Sequence, residues 1–300
     1  MTRFPRIGRA LRACAFAGAV ATAAASHAQP LSFPRPQLAG YDEILNNGGR
    51  ELTTFRFARH NRVFILDFPS LAEQGATFNR ASAFVERQLA PHDRVLSEAE
   101  MAGYLHALHK TPETLSYGNN FSAGNLVLFF NLAEDKDVAL NSAERALLDL
   151  LLAQRVLFKR TGFYQASDPG SVVLSIPKVG AAPSSAQAVT AQIRSSILRH
   201  ELSHAEYYVN ERYAEFCRTF WREALSDAQR NAFRRFLARS TYDTGLEEVV
   251  INEWQAYLVH TPDKAAFRGE MVGMTDEALD QMRENFRKQS AANGVVLSLF

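Results

Sequence analysis

Short apolar runs mark the first predicted elements of the chain. Residues 62–68, RVFILDF, and residues 171–179, SVVLSIPKV, are rich in β-branched and aromatic side chains, which is typical of buried strands. The second run begins just beyond the turn signal DPG at 168–170, which favours a strand there. A further run at 125–132, NLVLFFNL, is compatible with either a strand or a buried helix, because periodicity alone does not separate the two.

Helical periodicity dominates the rest of the chain. Leucines recur at helical intervals in residues 143–160, AERALLDLLLAQRVLFKR. We therefore predict one α+β domain over residues 41–300, mostly helical with a small sheet, with its strands early and its helices in the second half. Three predicted helix starts have the spacing of a capping box, in which Glu or Gln follows the capping residue by three positions: Ser97 with Glu100, Asn141 with Glu144, and Ser226 with Gln229.

The N-terminal residues follow a different pattern. Residues 1–12 contain four arginines and no acidic residue, and residues 13–25 form a short run of small apolar side chains. The run ends in Ser-His-Ala at 26–28, an A-x-A-like cleavage site. This order of basic, apolar and small-residue regions is typical of a secretory signal peptide over residues 1–28. We therefore expect cleavage after Ala28 and a periplasmic or secreted mature protein.

The charge balance of the expected mature chain narrows its possible partners, and its cysteine content limits disulfide formation. Without residues 1–28 the chain keeps 29 basic and 32 acidic residues, a formal net charge of −3. Such a balance gives no electrostatic case for binding nucleic acid or an anionic membrane, and no second stretch is long and apolar enough to predict a transmembrane helix. Cys217 is then the one remaining cysteine, so no intrachain disulfide can form and we expect this thiol to be buried.

Two stretches are predicted to connect elements. Residues 29–40 are Pro-rich and predict an extended lead-in that does not pack. Residues 180–187, GAAPSSAQ, predict a flexible connector.

His106 and His109 lie three positions apart in a predicted helix. They could serve an accessory metal site, but they have no acidic partner nearby in sequence. We therefore interpret them as polar positions of an amphipathic helix.

The candidate chemistry begins with HELSH at 200–204, an H-E-x-x-H motif. The periodicity around it is helical, and side chains four positions apart share a helix face. His200 and His204 can thus offer two imidazole nitrogens to one ion, and zinc favours such ligands. Glu201, beside the first ligand, can accept a proton from a water that the metal activates. The alternative is two surface histidines paired with Glu201 or Glu206 on a solvated helix face.

A catalytic zinc site needs a third protein ligand. A histidine six positions after His204, as in H-E-x-x-H-x-x-G-x-x-H, is missing because Asn210 stands there. Glu253 lies in the apolar segment VVINEW, where an unpaired carboxylate is costly and a metal would offset that cost. Glu247 and Glu248 are rival ligands without this apolar helical setting. We predict Glu253 as the third ligand.

The segments RHELSHAEYY and NEWQAYL together resemble the gluzincin class of zinc metallopeptidases, in which two histidines of H-E-x-x-H and a glutamate from a second helix bind zinc. They are also similar to a group of bacterial secreted zincin-like proteins with NE-x-QAYL-type segments. The resemblance covers residues 197–260, roughly a fifth of the chain. It implies a zincin-like metalloprotease fold with metal-binding helices at about 188–262 and a peptide or protein substrate. It also implies a zinc ion (Zn²⁺) held by His200, His204 and Glu253, with Glu201 as the general base.

The chain departs from the thermolysin-like pattern at one position. Those enzymes carry an Asp four residues after the ligand Glu, where it supports the first histidine, whereas this chain has Tyr257 there. The group that supports the histidines is therefore open among Asn252, Tyr257, Glu247 and Glu248.

The implied mechanism also needs a donor aimed at the developing oxyanion. Glu253, Tyr257 and His260 are spaced i, i+4 and i+7, so a continuous helix would put them on one face. We therefore predict Tyr257 and His260 as catalytic residues, with Tyr242 and Tyr208 as further candidates.

The leading hypothesis is a secreted or periplasmic zinc metallopeptidase that hydrolyses peptide bonds with a zinc-activated water and Glu201 as general base. A peptide substrate would add a strand to a sheet edge, and SVVLSIPKV is the predicted edge strand. The alternative is a non-catalytic, zinc-stabilised binding protein of the cell envelope. Retention of Glu201 argues against that alternative, because a structural site needs no base between its ligands.

Overall fold

The sheet that supports the site has five strands in the order β1-β2-β3-β7-β4. Strand β1 pairs parallel with β2, β2 antiparallel with β3, β3 parallel with β7, and β7 antiparallel with β4. Strands β5 and β6 form a separate antiparallel hairpin. The strands are β1 (Gln37–Ala39), β2 (Thr53–Phe57), β3 (Val63–Phe68), β4 (Asn119–Ser122), β5 (Leu157–Arg160), β6 (Phe163–Ala166) and β7 (Val172–Pro177).

The computed structural model describes residues 31–183 and 188–299. The predicted signal peptide and residues 184–187 of the predicted connector lie outside the described residues. The expected lead-in at 29–40 ends in a packed element, because Gln37–Ala39 forms β1.

Helices account for most of the secondary structure of the described residues, which confirms an α+β class, mostly helical with a small sheet. Two π-helical segments, Phe220–Ala224 and Ala256–His260, and one 3₁₀ segment, Gly269–Val272, join the α-helices. The α-helices are α1 (Tyr41–Leu45), α2 (Leu71–Glu86), α3 (Glu98–Ala107), α4 (Ala123–Asp135), α5 (Ser142–Ala153), α6 (Ala191–Val209), α7 (Glu211–Thr219), α8 (Asp227–Arg239), α9 (Glu247–Gln255) and α10 (Asp276–Ala292).

Most of the local predictions agree with the structure. The run at 143–160 is helical only in its first part, because α5 ends at Ala153 and Leu157–Arg160 forms β5. The run at 62–68 contains β3, and the ambiguous run at 125–132 lies in α4, whose N-cap Ser122 accepts a hydrogen bond from the backbone of Asn125. Ser97, Asn141 and Ser226 each begin a helix with a complete capping box, as their spacing predicts.

The prediction that SVVLSIPKV is an edge strand is wrong. Strand β7 lies inside the sheet between β3 and β4, and all six of its residues are buried. A nearly continuous apolar run is typical of a strand that is covered on both faces. Among the described strands, β4 occupies the edge next to β7.

Helix α6 lies between the sheet and a helical core. Leu198 and Leu202 of α6 pack with Leu174 and Ile176 of β7. On its other side α6 contacts α7, α9 and the π segment Ala256–His260. The helical core beyond it is built around Trp221, Trp254, Phe220 and Phe286, together with Cys217, which is fully buried as its apolar character predicts.

None of the helices formed by the described residues combines the length and the apolarity that a membrane crossing requires.

Candidate metal centre

Helices α6 and α9 bring the three predicted ligands together. His200 and His204 lie one turn apart on α6, and Glu253 faces them from α9. The Nε2 atoms of His200 and His204 lie 3.6 Å from Glu253 Oε2 and Oε1, respectively. One ligand atom from each residue falls within 4.8 Å of the others, a group that could hold a metal ion.

Two buried atoms of this group lack a hydrogen-bond partner among the described residues. They are His204 Nε2 and Glu253 Oε2. An unsatisfied polar group in the interior is costly, and an unpaired carboxylate more so. Nitrogen and carboxylate oxygen are also the ligands that zinc takes in proteins. The donor set and its unsatisfied atoms therefore fit a bound zinc ion.

The second nitrogen of each histidine is held by a neighbouring polar side chain. His204 Nδ1 lies 2.9 Å from Asn252 Oδ1, and His200 Nδ1 lies 2.9 Å from Thr261 Oγ1. Thr261 donates its own hydroxyl hydrogen to the carbonyl of Ala256, so its oxygen accepts from His200. With Nδ1 donating in both rings, the neutral imidazoles present a lone pair at Nε2.

Burial keeps both histidines neutral. It lowers the pKa of His200 and of His204 to about 4, although the charge of Glu253 acts in the opposite direction on His204. Burial also raises the pKa of Glu253, against the charges of His204 and Arg87 and a hydrogen bond from Tyr242. Neutral imidazole is the form that binds metal.

Glu201 lies beside the ligands but points to a different neighbour. Its carboxylate is buried, and its Oε2 accepts a hydrogen bond from Asn120 Nδ2 at 3.2 Å. A Cβ atom at Gly118 would lie 2.1 Å from Glu201 Oε1, so this glycine leaves the space that the carboxylate fills. Burial raises the pKa of Glu201 well above its usual value, and the charge of Glu253 adds to this. A carboxylate with a raised pKa is a better proton acceptor.

Two cavities lead to the group formed by His200, His204 and Glu253. One, of about 720 Å³, is lined by His200, Glu201, Tyr257 and Thr261. The other, of about 580 Å³, is lined by Glu253. Asn120 and Glu86 line both of them.

The structure places Tyr257 at the site. Its half-buried ring lies 4.7 Å from the ring of His200, centroid to centroid, and it lines the larger cavity. It is therefore placed among the groups that a bound molecule would meet.

His260 is buried in a different place. It is not among the residues that line either cavity, and its Nε2 lies 3.1 Å from the hydroxyl of Tyr213. The helix becomes π-helical at Ala256–His260. A π turn holds more residues than an α turn, so His260 is rotated away from the face that carries Glu253.

The two other candidate tyrosines line different cavities. Tyr242 lines the larger cavity, whereas Tyr208 lines the smaller one. Of the candidate supports for the histidines, Asn252 holds His204.

The rival acids do not join the ligand group. Glu247 pairs with Arg234 and accepts from Trp221 Nε1, and Glu248 pairs with Arg218. Both carboxylates are thus satisfied elsewhere, and the described ligand group contains Glu253 alone among these acids.

His106 and His109 are exposed, as expected for polar positions.

The sequence did not predict several residues of the site. Arg87 is buried at the cavity wall, 3.0 Å from Glu86, and its guanidinium lies over the ring of Tyr242 at 4.2 Å. Asn120 and Gly118 also come from segments far from the motif in sequence. Among the unpredicted site residues, only Thr261 could have been found from the sequence, because it ends the helical run that begins near Glu253.

Comparison with known proteins identifies no relative. No family model matches the chain, and no curated protein or solved structure matches it.

Proposed function

We propose that this protein is a zinc-dependent metallopeptidase of gluzincin type with a zincin-like fold. The observation that carries the proposal is the convergence of His200, His204 and Glu253, with unsatisfied buried atoms on His204 and Glu253. Glu201 beside them supports an enzyme, because a purely structural site needs no buried carboxylate facing a cavity.

Different residues of the chain would carry out different steps of the proposed hydrolysis. A zinc ion, when bound, supplies a Lewis acid that polarises a carbonyl and makes water a better nucleophile. Glu201 takes the proton from the attacking water and passes it to the leaving amine. Tyr257, at the wall of the larger cavity, offers a hydroxyl donor for the developing oxyanion. No covalent intermediate with the protein is needed.

A peptide substrate is favoured by the sheet edge beside the base. Asn120 belongs to β4, whose one described partner is β7, so its other edge is open among the described strands. An extended peptide can add to such an edge through main-chain hydrogen bonds. The resemblance to gluzincins supports the same substrate class. The N-terminal sequence pattern supports a periplasmic or secreted location.

The alternative, a non-catalytic zinc-stabilised envelope protein, would fill the fourth zinc position with a protein ligand. The described residues offer three ligands in this group. The cavity beside His200 and Glu201 leaves room for water and a substrate.

Zinc content and peptidase activity of matched variants test the proposal. His204→Ala and Glu253→Ala should lose stoichiometric zinc, measured by elemental mass spectrometry after dialysis. His106→Ala and Glu248→Ala are their controls and should retain it, because both side chains lie outside the ligand group. Glu201→Gln should keep zinc and lose cleavage of a fluorogenic peptide library.

Two results would overturn the proposal. Retention of zinc by Glu253→Ala would exclude Glu253 as the third ligand. Bound zinc in the wild-type protein with no peptide cleavage that depends on Glu201 would favour the binding protein.

A further inference from the structure

The described structure gives the proposed base one side-chain hydrogen-bond donor, and it comes from the edge strand. Asn120 Nδ2 donates to Glu201 Oε2 at 3.2 Å, and Asn120 is itself largely buried. The carboxylate of Glu201 is thus held by a side chain of β4.

Strand pairing fixes the direction of the Asn120 side chain. Asn120 is opposite Leu174 of β7 in the register, and Leu174 packs against α6. Neighbouring side chains on a strand point to opposite faces of the sheet. Asn119 accordingly turns away from α6 and donates to Ser175 Oγ at 2.9 Å.

The segment before β4 sets the second limit on Glu201. Ser116 donates its hydroxyl hydrogen to the carbonyl of Gly118, and the buried Gln74 of α2 donates to the carbonyl of Tyr117 at 3.0 Å. Gly118 is held in this way against the carboxylate, where a Cβ would lie 2.1 Å from Oε1 and 2.7 Å from Cδ of Glu201. One oxygen is therefore bonded by residue 120 and the other is confined by residue 118.

We infer that Asn120, with Gly118, is a positioning residue that fixes the carboxylate of Glu201 in the orientation of a general base. The inference rests on the proposed function for its catalytic meaning, although the contact itself can be tested without activity. A general base must lie within hydrogen-bond reach of the proton that it removes. A carboxylate free to rotate would spend most of its time outside that geometry, which slows the chemical step more than substrate binding.

Kinetics of neighbouring asparagine variants test the inference. Asn120→Ala should retain zinc, reduce kcat by roughly tenfold or more and change KM by less than about twofold, because the ligands and the cavity remain. Asn120→Asp has the same shape but replaces the donating amide by an acceptor, so it should behave as Asn120→Ala does. Asn119→Ala is the matched control on the same strand and should leave kcat unchanged. Equal kcat values for Asn120→Ala and Asn119→Ala would overturn the inference.

Gly118→Ala tests the second contact. The added methyl group should displace the carboxylate and lower kcat while zinc content stays at the wild-type level. Wild-type kcat in Gly118→Ala would remove this residue from the positioning role.

A stability cycle separates failure of this inference from failure of the proposed function. Unfolding free energies are measured by urea denaturation for Asn120→Ala, Glu201→Ala and the double variant, all without metal. Asn120→Ala should cost less stability in the Glu201→Ala background, because the carboxylate that needs the donor is gone. Additive effects would overturn the contact itself. Coupling in a protein without peptidase activity would keep the contact and refute the proposed function alone.

Discussion

Asn252 links His204 to the helix that carries the proposed third ligand, since its Oδ1 lies 2.9 Å from His204 Nδ1. Gln255 Nε2 donates to the same oxygen at 3.2 Å, which fixes the amide orientation of Asn252. The neighbouring residue in the chain is Glu253. One turn of α9 thus presents one proposed ligand and also orients a proposed ligand of α6, so loss of Asn252 should weaken metal binding although Asn252 does not belong to the ligand group.

Asn252→Ala should weaken zinc binding by about 10- to 100-fold, the usual effect of removing a group that orients a metal-bound histidine. The ring of His204 loses its fixed tautomer and direction. Competition with a chromophoric chelator measures the affinity. Asn285→Ala, on α10, is the control. Equal zinc affinities for the two variants would contradict the role of Asn252.

Thr261 should depend on its hydroxyl group rather than on its size. Thr261→Val removes the acceptor for His200 Nδ1 and should weaken zinc binding by about tenfold, whereas Thr261→Ser keeps it and should bind as the wild type does. The same chelator titration distinguishes them. A wild-type affinity in Thr261→Val would show that the hydroxyl group does not orient His200.

Arg194→Met should destabilise the fold by about 3 kcal/mol, because it leaves the buried Asp67 without its main ion pair. Arg194 Nη1 lies 2.6 Å from Asp67 Oδ1, and Lys178 at 3.4 Å compensates only in part. Urea denaturation gives the free energy of unfolding. Arg199→Met on the exposed side of the same helix should change it by less than about 0.5 kcal/mol. A similar small loss in both variants would contradict the structural role of Arg194.

Deletion of residues 298–300 should destabilise the protein by about 3 kcal/mol, because it strips hydrogen bonds from a buried carboxylate and removes a buried leucine from the core. Glu206 accepts from the backbone of Ser298 at 2.8 Å and of Leu299 at 2.7 Å. Leu299 is itself buried in the core between the sheet and α6. In a Glu206→Ala background the same deletion should cost clearly less, and equal costs would show that Glu206 does not hold this segment.

Cys217 should resist thiol reagents in the folded protein. Its side chain is buried, and burial raises the pKa of the thiol far above its usual range, so almost no reactive thiolate exists at neutral pH. In a Cys14→Ser variant, Ellman's reagent should detect one thiol in urea and almost none in buffer. Rapid stoichiometric reaction in buffer would contradict the buried position.

The sequence predicted those parts of the fold that depend on local patterns. Capping boxes at Ser97, Asn141 and Ser226 work through residues three apart, so they can be recognised without tertiary information. Strand β4, with its polar sequence NNFS, has no strand-like periodicity and is held by pairing with β7. Its position at the sheet edge depends on long-range pairing that no local pattern encodes.

The residues of the candidate site also divide into those that local patterns predict and those that only long-range contacts bring together. His200, Glu201 and His204 share one helix, and Glu253 was recognisable from its apolar surroundings. Asn120 and Gly118 reach Glu201 across about 80 positions of sequence, so only the fold reveals them. The spacing that favoured His260 assumed an unbroken α-helix, and the π segment Ala256–His260 breaks that assumption.

Helix α6 is fastened on both sides of the histidines, by Arg194 to the sheet and by Glu206 to residues 298–299. The backbone between these attachments has therefore lost its conformational freedom before any metal arrives. A zinc ion entering this site would order little more than side chains that already have hydrogen bonds. Its contribution to stability should follow simple mass action, growing with the logarithm of free zinc. The domain should thus be folded without its metal, unlike a zinc finger, whose folding is the binding event.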